Sequence, residues 1–247
     1  MTTANQINSI LHLADNALIM GHRNSEWCGH GPVLEQDIAI SNIALDYIGT
    51  ARNFYQHAAQ KINQTPADYA GFHLPATEDS LAYLRDVRDF KNHLITELPN
   101  GDWAQTTLRI FLFSTYQYFL YQQLQKEEDI AIAGIAEKAL KEVSYHVKWS
   151  GDWVIRLGDG TPESQERMNN ALEHLWPYTS ELFLDAEEQI HQLWFQKVKT
   201  VFAEAGLHIP QTSWVQKGGT TGNHTEHLGY ILAEMQFLQR AYPNSEW

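Results

Sequence analysis

Glu142 and His146 stand four residues apart and Glu188 and His191 three apart in a chain of 247 residues. At those intervals a carboxylate and an imidazole share one helix face and can converge on one metal ion. A pair of irons in a bundle of long helices asks for more. It takes a Glu from each of two helices and a Glu-x-x-His from each of the other two. The supply here is uneven. Asp15 is the only acid between Met1 and Gly21. The next helical stretch holds Glu35, Asp37 and Asp46, and its histidine, His57, has Phe54 three positions before it. Between Trp103 and Lys126 there is neither acid nor histidine, and Glu142 is followed at the ligand spacing by Tyr145. Two divalent ions need several anionic ligands to offset their charge, so a di-iron cage is not expected; Glu142 with His146 would hold at most a lone metal, weakly.

Other residues point less sharply. His224, Glu226 and His227 place two imidazoles and an acid within one turn, which fits either a single metal ion or the start of a helix. Glu188-x-x-His191 has no second copy and reads as an exposed helix face. Cys28 beside His30 lacks a third group to orient a thiolate–imidazole pair. The run Lys217-Gly218-Gly219-Thr220-Thr221-Gly222 lacks the spacing of a phosphate-binding loop and reads as the most flexible loop of the chain.

The elements that must position these groups are helices. Leu34, Ile38, Leu45, Ile48 and Tyr55 recur at helical intervals on one face, and Ile132, Ala136, Ala139, Val143, His146, Ser150, Trp153 and Leu157 form a second stripe. Helices are expected over residues 4–21, 33–60, 81–94, 102–126, 130–157, 162–186, 189–205 and 224–241. Asp102 is placed to cap one of them, and Thr161-Pro162-Glu163 to open another. No strand alternation stands out, although a short strand near residues 207–210 remains open. The expected fold is all-α, a single domain over residues 1–247: an antiparallel long-helix bundle with additional C-terminal helices.

Composition narrows the function. Seventeen basic residues against 30 acidic ones give a formal charge of −13, which repels phosphate backbones and disfavours nucleic acid. One cysteine excludes an internal disulfide, and neither a basic-then-apolar leader nor an apolar run of membrane length is present. A cytoplasmic protein with no membrane partner is expected.

Long stretches of the chain resemble the C subunits of bacterial phenylacetyl-CoA epoxidases. They include Glu26-Trp27-Cys28-Gly29-His30-Gly31-Pro32, Asn42-Ile43-Ala44-Leu45-Asp46-Tyr47-Ile48-Gly49-Thr50-Ala51, Glu97-Leu98-Pro99-Asn100-Gly101-Asp102-Trp103, Lys141-Glu142-Val143-Ser144-Tyr145-His146 and Gly222-Asn223-His224-Thr225-Glu226-His227. The resemblance covers essentially the whole chain. It implies a ferritin-like fold and a non-catalytic structural or regulatory role beside a catalytic A subunit, with room for contacts to other subunits of the complex. In such enzymes the A subunit holds the di-iron centre and epoxidises the ring of phenylacetyl-CoA, with electrons supplied by a reductase holding NADPH, FAD and an iron–sulfur cluster. The resemblance implies no cofactor in this chain. The A subunit's pattern resembles Asp-Glu-x-Gly-His-Ala, so Tyr47 stands in place of a metal Glu and Thr50 in place of a metal His. Tyr145 likewise replaces a His after Glu142. Asp15, Tyr47, Thr50, Glu142, Tyr145 and His146 are thus degenerate ligand positions, and no catalytic residue is expected. The competing reading is an oxygenase subunit with its own Glu142/His146 site.

Overall fold

The computed structural model describes residues 3–184, 186–243 and 245. The architecture is all-α with long helices, as expected of the ferritin-like class; among the described residues there is no strand, and residues 207–210 are irregular chain. The chain divides into two compact units, Met1–Leu98 with Gly218–Trp247, and Pro99–Lys217.

The first unit is built on α1 (Thr3–Ser25) and α2 (Leu34–Gln64). They run antiparallel: Gly21 of α1 lies against Tyr47 and Ile48 of α2, while Asp15 meets Tyr55. A Cβ at Gly21 would come within 2.9 Å of Ile48 Cδ1, so glycine lets the helices close. Ile40, Ile43, Tyr47, Ala51, Phe54, Ala58 and Ile62 bury the inward face of α2, each large apolar side chain contributing about 1.5–3 kcal/mol. Part of the stripe seen in the sequence turns the other way. Leu34, Ile38 and Leu45 are 70%, 52% and 67% exposed. This helix is apolar on two sides, and periodicity alone does not say which side the protein itself covers.

The helix expected over residues 81–94 is broken into α3 (Glu78–Tyr83), a 3-10 turn at Val87–Asp89 and α4 (Leu94–Glu97). Side chains of α1 explain the break. Asp15 accepts from the Lys91 backbone N–H at 2.8 Å and Asn16 from that of His93 at 2.8 Å; His12 meets the Lys91 carbonyl at 2.6 Å, and Arg23 donates to that of Glu97 at 2.8 Å. Backbone groups that a helix would have paired internally are paired to α1 instead, so the segment runs irregularly while buried. The expected C-terminal helix also splits, into α9 (Glu226–Met235) and α10 (Phe237–Ala241). Gln236 sits at the break, and its amide donates to the Ala82 and Arg85 carbonyls at 3.2 and 3.0 Å. The glycine run is a packed turn. Gly219 is buried, a Cβ there would lie 2.2 Å from the Asn92 carbonyl oxygen, and Gly222 takes φ +84°.

The second unit holds α5 (Trp103–Leu124), α6 (Ile130–Gly158), α7 (Pro162–Leu175) and α8 (Glu188–Glu204). Asp102 caps α5 by accepting from the Gln105 N–H, and Thr161 caps α7 through the Ser164 N–H, with Pro162 in the first turn. The helix expected over residues 162–186 stops early because Pro177 cannot continue it; a 3-10 turn, Trp176–Phe183, follows, and Asp185 lies outside the described residues. Trp103, at the start of α5, packs edge-on against Trp149 and Trp153, whereas Tyr121, near its end, lies within reach of the Glu142 charge, so α5 and α6 are antiparallel. Residues 106–117 of α5 are buried on every side. This accounts for the missing acids, since a helix covered all round has no solvated face for them.

Candidate functional site

Asp15, on the fourth turn of α1, is fully buried and fully engaged. One carboxylate oxygen accepts from the Tyr55 hydroxyl at 2.5 Å and from the Arg85 guanidinium. The other accepts from Arg85 at 3.1 Å and from the Lys91 N–H. Arg85 follows the C-terminus of α3 and is itself buried. It donates to the Leu81 and Asp89 carbonyls at 2.5 and 3.0 Å and lies over the Phe90 ring at 4.3 Å. Burial pulls the guanidinium toward neutrality, but Asp15 and Tyr55 outweigh it and hold Arg85 protonated. Burial first, then the Asp15 charge, pushes the Tyr55 phenol well above its ordinary range. The cluster is a compensated ion pair with its hydrogen-bonding capacity used up, the arrangement a buried charge requires.

A second buried acid follows 12 residues after Arg85. Glu97, at the end of α4, accepts from His224 Nδ1 at 2.8 Å, from the Asn92 amide at 2.8 Å and from the Thr225 N–H at 2.6 Å. The other ring nitrogen of His224 faces the Phe90 carbonyl at 2.9 Å. Both ring nitrogens therefore meet acceptors, which calls for two N–H groups and an imidazolium. Burial lowers the His224 pKa, and the bond and charge of Glu97 more than reverse it, so the net shift is upward. His224 is an ion-pair partner rather than part of a metal trio with Glu226 and His227. Thr225 caps α9 by accepting from the His227 N–H, the helix start that the sequence allowed.

The remaining candidates are dispersed. Tyr47 and Thr50 are buried on the inward face of α2. On α6, His146 is buried, Glu142 is half-buried with Lys138 Nζ at 4.0 Å, and Tyr145 is exposed with its ring 6.4 Å from that of His146. Burial, then Tyr116 and Glu142, pushes the Tyr121 phenol up, so the Glu142 charge reaches the α5 side. Glu188 and His191 form an exposed contact at 3.8 Å, and His30 meets the Cys28 carbonyl at 3.2 Å, not its thiol. Among the described residues, no group of three or more His, Cys, Asp or Glu side chains comes together in a way that could hold a metal ion. The acid on α1 is neutralised by Arg85, and the side chains of α5 include neither carboxylate nor imidazole. Among the described residues, no helix is long and apolar enough to cross a membrane.

Sequence reasoning missed Arg85 and Glu97 as partners. Arg85 sits among Asp86, Arg88 and Asp89, a run that reads as solvated surface. Glu97 did leave a signal, as the lone acid in Leu94-Ile95-Thr96-Glu97-Leu98.

A family model described as phenylacetic acid catabolic protein matches residues 1–247. A curated relative, the C subunit of the 1,2-phenylacetyl-CoA epoxidase of Escherichia coli strain K12, is 40% identical over 252 residues, covering 96% of this chain and 97% of the relative. With both matches running the length of the polypeptide, the chain belongs to the phenylacetic acid catabolic protein family.

Proposed function

We propose that residues 1–247 act as one ferritin-like domain, a non-catalytic structural or regulatory subunit of a phenylacetyl-CoA epoxidase. In this reading it supports a di-iron catalytic subunit during aerobic phenylacetate breakdown. Iron belongs to that partner, and NADPH, FAD and iron–sulfur chemistry to a separate reductase. The observation that carries the reading is the Asp15–Arg85 pair. A carboxylate that ligates iron must bring uncompensated negative charge, and this one is already matched by a guanidinium. The side chains Tyr47, Thr50 and Tyr145 at the degenerate positions point the same way, because a phenol or a hydroxyl does not replace acid and imidazole at a ferrous pair. The relative's designation as one lettered subunit of an epoxidase supports a place within a multi-subunit enzyme.

The test is reconstitution. The catalytic subunit and reductase should lose epoxidation when this chain is left out and regain it on addition, while this chain with reductase and oxygen should give none. Turnover by the chain alone would overturn the proposal. A half-buried Glu142 one turn from a buried His146 favours the second reading, a subunit with its own metal. Stoichiometric iron lost in Glu142→Gln would establish it.

A further inference from the structure

The exposed apolar side of α2 has the form of a helix-pairing seam. Leu34, Ile38, Ser41, Leu45, Ile48 and Arg52 follow one another at steps of four, three, four, three and four, the alternation of a two-stranded coiled coil. Leu34, Ile38 and Leu45 are more than half exposed. Ile48 is half-buried, with its tip against Gly21 of α1. Val33, just before the helix, extends the patch at 53% exposure. From Leu34 to Leu45 the stripe runs roughly 16 Å, three helical turns. The positions flanking the seam carry Glu35 and Asp37 at its start, Asp37 also accepting from the Gly29 N–H at 2.9 Å, then Asn42 and Gly49 on one flank, while Ala44 and Ala51 on the other belong to the buried face of α2. No lysine lies along it. Arg52 closes its far end and is paired with Glu78 at 3.3 Å. A Cβ at Gly49 would meet nothing within 4 Å, so a neighbour can approach the backbone there.

Resting on the proposed subunit role, we infer that this face of α2 docks a helix of the catalytic subunit, one with an apolar stripe and basic residues on its flanks. Charge selects the occupant. Flanking acids on one helix of such a pair are matched by flanking bases on the other. A second copy of this chain brings the same acids and a further −13, which disfavours self-pairing. Apolar stripes of three turns left in water are uncommon on monomers and mark association surfaces.

The test compares full-length chain with Ile38→Glu/Leu45→Glu, titrated against the catalytic subunit by calorimetry. Both positions face solvent, so circular dichroism and melting temperature should match the unsubstituted protein. Ile130→Glu, at an 86% exposed site on α6, serves as the control. The seam predicts a dissociation constant raised at least about tenfold per substituted anchor, with the control unchanged. Unsubstituted chain that binds, together with a seam variant that binds equally well, overturns this inference and leaves the subunit role standing. Unsubstituted chain that fails to bind the catalytic subunit overturns both. A homodimer in light scattering that the seam variant dissolves makes the occupant a second copy and also overturns it.

Discussion

Removing the Arg85 guanidinium while Asp15 stays in place strands a carboxylate that no water reaches. Arg85→Met is therefore expected to cost about 3–5 kcal/mol in denaturant unfolding, and the double change with Asp15→Leu to recover most of it. A recovery no greater than additivity would show that the pair is not the unit of stability described here. His224 gives the pH counterpart. Its folded pKa lies above the ordinary 6.5, so its link to Glu97 contributes fully below that pH. The contribution fades as pH rises through the folded value. His93 works in the opposite sense. Burial, and then the neighbouring His12, holds it well below 6.5, so it withdraws stability as pH falls under that value. The stability difference between the unsubstituted chain and His224→Gln should be largest below pH 6.5 and shrink on the alkaline side, which pH-resolved urea melts will read. Such pairings are long-range: Asp15 and Arg85 are 70 residues apart, Glu97 and His224 127. The sequence displayed the acids but held nothing to say which cation each would meet.

Elements were legible where their signals are local. Asp102 and Thr161 cap as their positions implied, and the stripe on α6 is buried from Ala136 through Ser150, while Ile132, Trp153 and Leu157 at its ends are half-buried. Elements were illegible where distant side chains compete with the helix, as α1 does for residues 85–97. Glycines within the helices give an element-scale test. At Gly158 a Cβ would come 2.4 Å from the Ala205 carbonyl oxygen, a backbone atom that cannot swing away. Gly158→Ala should cost about 1–3 kcal/mol in thermal or denaturant melts. Gly134, also in α6, has nothing within 4 Å of the methyl that alanine would add. Gly134→Ala should instead stabilise by about 0.5–1 kcal/mol, because the entropic cost of a mid-helix glycine is removed.

For the molecule as a whole, class was legible and surface was not. Helical periodicity and the scarcity of strand patterns foretold an all-α chain. The exposed seam of α2 was visible as a stripe, yet its direction became apparent only beside the buried face led by Ile43, Tyr47 and Phe54. The absence of acid on α5 was also legible, and the all-round burial of its residues 106–117 supplies the physical cause. These features describe a member of the phenylacetic acid catabolic protein family whose buried Asp15 and Glu97 are paired with an arginine and a histidine. Iron counting on the full-length chain, expressed with iron in excess and studied by Mössbauer spectroscopy, tests that balance most directly. Iron far below stoichiometric, with no coupled ferrous signal, is the predicted result. A stoichiometric ferrous pair bound within this chain would contradict it.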